Sequence, residues 1–327
     1  MKFSFNFFLF IFSIFSSAVL LAGNKSPQER LEEANKNISE NSAKIAGFYA
    51  LAKGIDCREI TQDILDSAET KEALKYLINN TRRRFFLFQN LSGGFLVKGT
   101  ISFVPDPTGR PLLVFLRGGN RLFGLMHPAS AFTCMRDYTV IATTYRGGVS
   151  EGVDEYGGDE VSDIQNLIEY IPDLEQKLGF QFGRGHTYML GGGRGGMEMF
   201  LALGRSPFLQ DKVTKVASLR GHLDIRECMR FREDMRSMFI EDFGLIPEEN
   251  EEEWIDRRNP IAMVPKLKKD LPILIIQGAE DIRVSPLEGL NMVKKLKEHG
   301  NNVEYIEVPD IEQVRVEMIA DWFESER

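Results

Sequence analysis

This sequence predicts an α/β fold with a doubly wound, mostly parallel sheet, and three observations predict it. Apolar runs of four to six residues recur along the chain, helical stretches separate them, and several runs end in glycine-bearing turns. Runs of that length, rich in aliphatic and β-branched residues, are the mark of parallel strands buried on both faces. Composition agrees with a packed chain. The 327 residues are 43% hydrophobic and 27% charged, with 29 Gly and 13 Pro, which excludes disordered and collagen-like classes. The 40 basic and 48 acidic residues leave a net charge of −8, and an acidic surface repels phosphate backbones, so nucleic acid is not an expected partner.

Residues 1–23 read as a targeting segment. Lys2 precedes an almost uncharged run from Phe3 to Ala22, in which phenylalanine stands at 3, 5, 7, 8, 10 and 12. Ser16-Ser17-Ala18 offers the small residues of a signal-peptide cleavage site, and Leu21-Ala22-Gly23 is a poorer alternative. An uncleaved anchor over residues 3–22 is the other reading, because about 20 apolar residues span a bilayer. Either way the expected location is outside the cytoplasm: periplasmic, secreted or extracellular, or held to a membrane through this segment alone. No Cys follows the run to carry a lipid.

Residues 24–91 read as a helical segment. Ser26 can cap a helix, Pro27 suits its first position, and Glu29 can reach back to the cap. Leu31, Ala34, Ile38, Ile45, Phe48 and Leu51 continue at roughly helical spacing. Further helices are expected around Ile64-Leu65 and from Ala73 to Ile78, with helical character ending near Arg84. Sequons stand at Asn37, Asn79 and Asn90, and no internal repeat is present.

Residues 92–327 carry the sheet. Strands are expected at Phe95–Val104, Leu112–Leu116, Thr139–Thr144, Thr187–Leu190, Val216–Leu219, Ile273–Ile276 and Val303–Val308. Intervening helices include Asp163–Ile171, Met197–Leu203 and Leu290–His299. Residues 221–262 interrupt this alternation and read as a helical lid over one end of the sheet. The acidic run Glu248–Glu253 within it reads as a solvated face. Cys57, Cys134 and Cys228 are too few for a disulfide framework and fit no metal pattern, and their odd number leaves at least one free thiol or an intermolecular bond. No metal or organic cofactor is implied.

In such sheets chemistry sits beyond the carboxyl ends of the strands. There the sequence reads Arg117-Gly118-Gly119-Asn120, Tyr145-Arg146-Gly147-Gly148, Gly191-Gly192-Gly193-Arg194-Gly195-Gly196-Met197, and Pro272 through Gln277-Gly278-Ala279-Glu280-Asp281-Ile282-Arg283-Val284, with Ala320-Asp321-Trp322-Phe323 near the end. Each stretch alone is ordinary turn chemistry. In this order, over residues 92–327, they resemble the catalytic domain of α/β hydrolases of the prolyl oligopeptidase type, a group of serine peptidases.

The resemblance implies a Ser-Asp-His triad, with the nucleophile on a sharp G-x-S-x-G turn between strand and helix. The matching residues are Gly191 to Gly195, so the nucleophile position falls on Gly193, which has nothing to attack with. No hydroxyl or thiol stands anywhere from 191 to 196. Asp281 matches the acid position, its alternative being a turn aspartate that caps its own loop. The base is expected between Val308 and Val316, a short loop without histidine. Among His127, His186, His222 and His299, only His222 follows a strand at the correct end of the sheet. It reads either as a substitute base or as a polar lid residue. Oxyanion donors would be the backbone N–H groups of Arg194 and of Gly119 or Asn120. The side chains of Arg117 and Arg194 either attract an anionic ligand to the cleft or pair with local acids such as Asp159 or Asp163.

Two functions follow from this reading. One is an exported relative of the serine hydrolases that binds a peptide or small anionic ligand without cleaving it. The other is an active hydrolase of peptide or ester bonds whose catalytic residues are rearranged.

Overall fold

The computed structural model describes residues 26–325, except 131–134, 136, 184, 311–313 and 315. The leader, Cys134 and most of the loop searched for a base therefore lie outside the described residues. Among those described, no helix is long and apolar enough to cross a membrane.

The first helix begins as the sequence predicts. Ser26 Oγ accepts the Glu29 N–H at 3.2 Å and the Ser26 N–H donates to Glu29 Oε2 at 2.7 Å, which closes a capping box ahead of α1 (Pro27–Ile45). This helix buries Leu31, Ala34, Ile38 and Ile45. Next come β1 (Cys57–Glu59), α2 (Thr61–Asp66), α3 (Glu72–Thr81), and the hairpin of β2 (Arg84–Ser92) and β3 (Phe95–Phe103).

The sheet thus starts inside the stretch read as helical. β2 pairs antiparallel with β3 from Arg84 opposite Phe103 to Ser92 opposite Phe95, and β1 pairs with β2. Phe85, Phe86, Leu87 and Phe88 are all buried, so that run has no one-sided helical stripe. β1 is only three residues long and leaves no periodic signal.

The remainder follows the predicted alternation: β4 (Leu112–Leu116), β5 (Thr139–Thr143), α4 (Ser162–Leu178), β6 (Thr187–Gly192), α5 (Arg194–Arg205), α6 (Pro207–Lys212) and β7 (Lys215–Leu219). Between β7 and the next strand lie α7 (Ile225–Phe231), α8 (Glu233–Asp242), α9 (Glu251–Arg258) and α10 (Pro260–Met263), the helical interruption expected over 221–262. The chain then returns through β8 (Ile273–Gly278), α11 (Pro286–His299), β9 (Val303–Val308) and α12 (Val316–Glu324). Strand order is β1-β2-β3-β5-β4-β6-β7-β8-β9, parallel from β5 to β9.

Helices cover both faces, which is why the strand runs are continuously apolar. One core packs Leu112, Val114, Met189, Val216 and Ile273 against α4, α5 and α11; the opposite core packs Leu113, Leu190, Ala217 and Leu274 against Trp322 and Phe323 of α12. Truncating one fully buried ring such as Phe200 to Ala should cost roughly 3–5 kcal/mol. α12 is described from Val316 to Glu324, and the stripe that docks it runs from Ile319 to Phe323.

Candidate functional site

The turn between β6 and α5 holds Gly193 at φ 55° and ψ −123°, a conformation that side-chain-bearing residues adopt only under strain. Hydrogen bonds hold it from both sides. The Gly193 N–H donates to Leu219 O at 3.1 Å, and Gly193 O accepts from the N–H groups of Gly196 at 3.0 Å and His222 at 3.1 Å. Neighbouring glycine is dictated by contact: a Cβ on Gly195 would sit 2.0 Å from Leu116 O. At Gly193 the corresponding Cβ would meet only Gly118 Cα, at 3.9 Å. Packing therefore imposes glycine at 195, whereas at 193 there is room for a side chain and none is present.

Arg194 opens α5 and turns inward. Its guanidinium reaches Asp154 and Glu160, each within 2.8 Å, and Glu198 at 2.7 Å, with all four side chains at 1% exposure or less. It also donates to Gly119 O at 3.1 Å, tying the loop after β4 to the turn after β6. Tyr156 stacks against it at 4.5 Å. Burial raises Glu198 to about 8 against the pull of Arg194, so Glu198 keeps its proton at neutral pH. Asp154 is also penalised by burial, but Arg194 outweighs that and brings it to about 2. Arg117 is likewise consumed internally, by the carbonyls of Gly118, Arg121, Phe123 and Thr144. The expectation that these two arginines could face a ligand is therefore corrected. They pair locally, although not with the acids expected: Asp159 binds Arg257 and Asp163 binds Arg146.

Above the turn lies a cavity of about 340 Å³. Gly119, Asn120, Gly193, Arg194 and His222 all line it, so most of the residues singled out from sequence come together. Ile38 of α1, Phe115, Phe123, Met235 and Met238 supply apolar wall. Three other arginines, Arg220, Arg232 and Arg283, share the lining with Asp234. Sequence reasoning missed their role. The signal was available, because Arg220 and Arg283 each follow a strand at the same end of the sheet as the turns that were read.

Asp281 stands in the loop after β8 with its side chain wholly buried. Its Oδ1 accepts from Arg220 Nη2 at 2.6 Å and from the N–H groups of Arg283 at 2.8 Å and Val284 at 3.2 Å. Oδ2 is buried and has no hydrogen-bond partner among the described residues. Arg283 also donates to Asn35 of α1 at 2.8 Å, and Arg232 pairs with Asp234 at 2.6 Å. Burial, and then the charges of Arg220 and Arg232, lower the Arg283 guanidinium to about 10. This wall thus brings three guanidinium groups together with the carboxylates of Asp234 and Asp281.

His222 adjoins Gly193 through its backbone, and its Nδ1 lies 3.4 Å from Oε1 of the fully buried Glu288. The Cys228 thiol completes the group: donor atoms of His222, Cys228 and Glu288 all lie within 4.8 Å of one another. Cys228 is fully buried and outside any disulfide, and burial followed by the Glu288 charge pushes its thiol well above the usual range. The other histidines are engaged elsewhere. His127 contacts Thr70 Oγ1 and the Ala129 N–H, and burial lowers it to about 4. His299 ends α11 and contacts Asn301. His186 precedes β6, at the opposite end of the sheet.

Comparison with known proteins places this geometry in context. Residues 127–312 match the profile of the prolyl oligopeptidase family. The acylamino-acid-releasing enzyme of Rattus norvegicus is 25% identical over 235 residues, covering 66% of this chain and 30% of that enzyme. A Bacillus subtilis (strain 168) protein, the uncharacterized peptidase YtmA, is 27% identical over 68% of this chain and 82% of its own length. Among solved structures, the Pyrococcus horikoshii acylaminoacyl peptidase superposes with a TM-score of 0.59 at 21% identity, over 73% of this chain and 41% of that one. The chain thus spans less than half the length of the Rattus norvegicus and Pyrococcus horikoshii enzymes.

Proposed function

The chain belongs to the prolyl oligopeptidase family, and we propose that it binds ligands at the family's catalytic position instead of cleaving them. One observation carries this reading: the turn that would present a nucleophile ends in the bare backbone of Gly193. Acyl transfer needs a hydroxyl or thiol at that point. Its loss removes on the order of 10⁶-fold in rate, leaving only what binding and oxyanion donors supply. Asp281, at the proposed acid position, is engaged by Arg220.

The retained features suit recognition. Backbone N–H groups of Arg194 and of Gly119 or Asn120 are the proposed donors to a ligand carbonyl or carboxylate oxygen. Arg220, Arg232 and Arg283 favour an anionic group, and the apolar wall favours a hydrophobic body. A peptide C-terminus or an N-acylated amino acid combines both. The leader supports export or anchoring through residues 3–22 as part of the same proposal.

A second reading is favoured by His222 standing beside Cys228 and Glu288, the members of a possible thiol-based hydrolase. Against it, the thiol is inaccessible and held in its neutral form. Activated esters and short peptides distinguish the two readings. The purified chain should not turn them over above buffer, and Gly193→Ser should not take up a fluorophosphonate probe. Hydrolysis abolished by Cys228→Ala or His222→Ala would replace the binding reading with the catalytic one. N-acetyl-phenylalanine should bind more tightly than its amide.

A further inference from the structure

The His222, Cys228 and Glu288 cluster carries an inference independent of the binding reading. The three residues are brought together by the fold alone. His222 lies in the turn after β7, Cys228 sits on α7, and Glu288 enters from the first turn of α11, 66 residues beyond His222. All three are buried, and their donor atoms lie within 4.8 Å of one another. We propose that His222 Nδ1, Cys228 Sγ and Glu288 Oε1 form a binding site for a zinc-class divalent cation in the wall of the cavity.

The donor set fits such an ion. Imidazole nitrogen, thiolate sulfur and carboxylate oxygen are the three ligand types of protein zinc sites. Tetrahedral zinc, with bonds to N and O of about 2.0–2.1 Å, separates those two donors by roughly 3.3 Å. Nδ1 of His222 and Oε1 of Glu288 stand 3.4 Å apart. The sulfur lies within 4.8 Å of both and completes the face by moving toward them on binding.

The surroundings are organised as well. Oε2 of Glu288 accepts the Leu223 N–H at 3.0 Å and the Asp224 N–H at 3.4 Å, which leaves Oε1 directed at the imidazole. Charge balance points the same way. A thiolate and a carboxylate together neutralise a divalent cation. On binding, the thiol proton is released to solvent and the metal takes its place. Three protein ligands leave a fourth position for water or a ligand atom. Because His222 lines the cavity and its backbone holds Gly193 O, the ion would stiffen the turn at the centre of the site.

The test is titration of the metal-stripped full chain with Co²⁺, followed by displacement with Zn²⁺. One cobalt should bind per chain with a sulfur-to-cobalt charge-transfer band in the near ultraviolet, and zinc should abolish that band. Cys228→Ser should remove it. Glu288→Gln should weaken binding by more than about tenfold, the lower end of what losing even an outer hydrogen-bond partner of a ligand costs. Cys57→Ser and Cys134→Ser should keep the band. Absence of the band in the unaltered chain, its survival in Cys228→Ser, or its loss with Cys57 or Cys134 would overturn the proposal. None of these outcomes depends on whether the cavity hydrolyses or merely binds.

Discussion

Two groups of arginines sit within the same site and are built in opposite ways. Beneath the turn, a single guanidinium, Arg194, faces three carboxyl groups, all shut away from solvent. Across the cavity, three guanidinium groups, Arg220, Arg232 and Arg283, line the space, with Asp281 and Asp234 among their partners. The first group has more acid than it needs and holds a proton in reserve. The second puts its cations at the surface of the cavity. Guanidinium groups that line a cavity are placed where an anionic ligand group can add to their local partners. The contrast separates an arginine enclosed by its own acids from arginines that line the cavity.

The strongest test of that division is Arg194→Met. It strands Asp154 and Glu160 without a counterion, and breaking a buried pair in this way costs roughly 3–5 kcal/mol. Urea denaturation should show that loss. A variant as stable as the parent would put Arg194 in the same class as the cavity arginines.

Gly193→Ala should cost about 1–3 kcal/mol through backbone strain, since the added methyl meets nothing closer than 3.9 Å. An unchanged melting temperature would show that the turn relaxes. Titration sharpens the comparison further. The folded Asp154 sits at about 2, below its ordinary 3.8, so its stabilising contribution is complete above 3.8 and is lost as pH falls through 2. Roughly 2 kcal/mol should disappear over that window, and Asp154→Asn should abolish this part of the pH dependence. Glu198 has the opposite sign. Its folded value of about 8 exceeds the ordinary 4.5, so its contribution weakens as pH rises from 4.5 through 8. Glu198→Gln should flatten that alkaline decline in the melting temperature.

The smallest change is expected on the other side of the cavity. Arg283→Met should weaken N-acetyl-phenylalanine binding about tenfold, or about 1.4 kcal/mol, with a smaller loss of stability than Arg194→Met shows. Calorimetry reads the first and thermal melting the second. A variant that loses stability and keeps affinity would reverse the assignment of the two groups.

What the sequence disclosed follows from which forces act locally. The strand runs at Leu112, Thr187, Val216 and Ile273 were legible because burial on both faces leaves no polar alternation to confuse them. The capping box at Ser26 was legible because its partners are three residues apart. β2 escaped because its buried phenylalanines adjoin a helical region and resemble neither period. The direction of Arg194 was not legible. It depends on Asp154 and Glu160, which reach it across 40 and 34 residues of chain. The meeting of Cys228 with Glu288 has the same origin, since only the return of the chain through β8 brings α11 beside α7.

The contact between Arg283 and Asn35 joins parts of the chain 248 residues apart. The cavity wall therefore joins the first described helix to the loop after β8. A molecule bound there would favour the state in which these two have met, and so add to the stability of their contact. Loss of the first helix by proteolysis would open the pocket while leaving the strands beneath it in place, uncoupling occupancy from the integrity of the sheet.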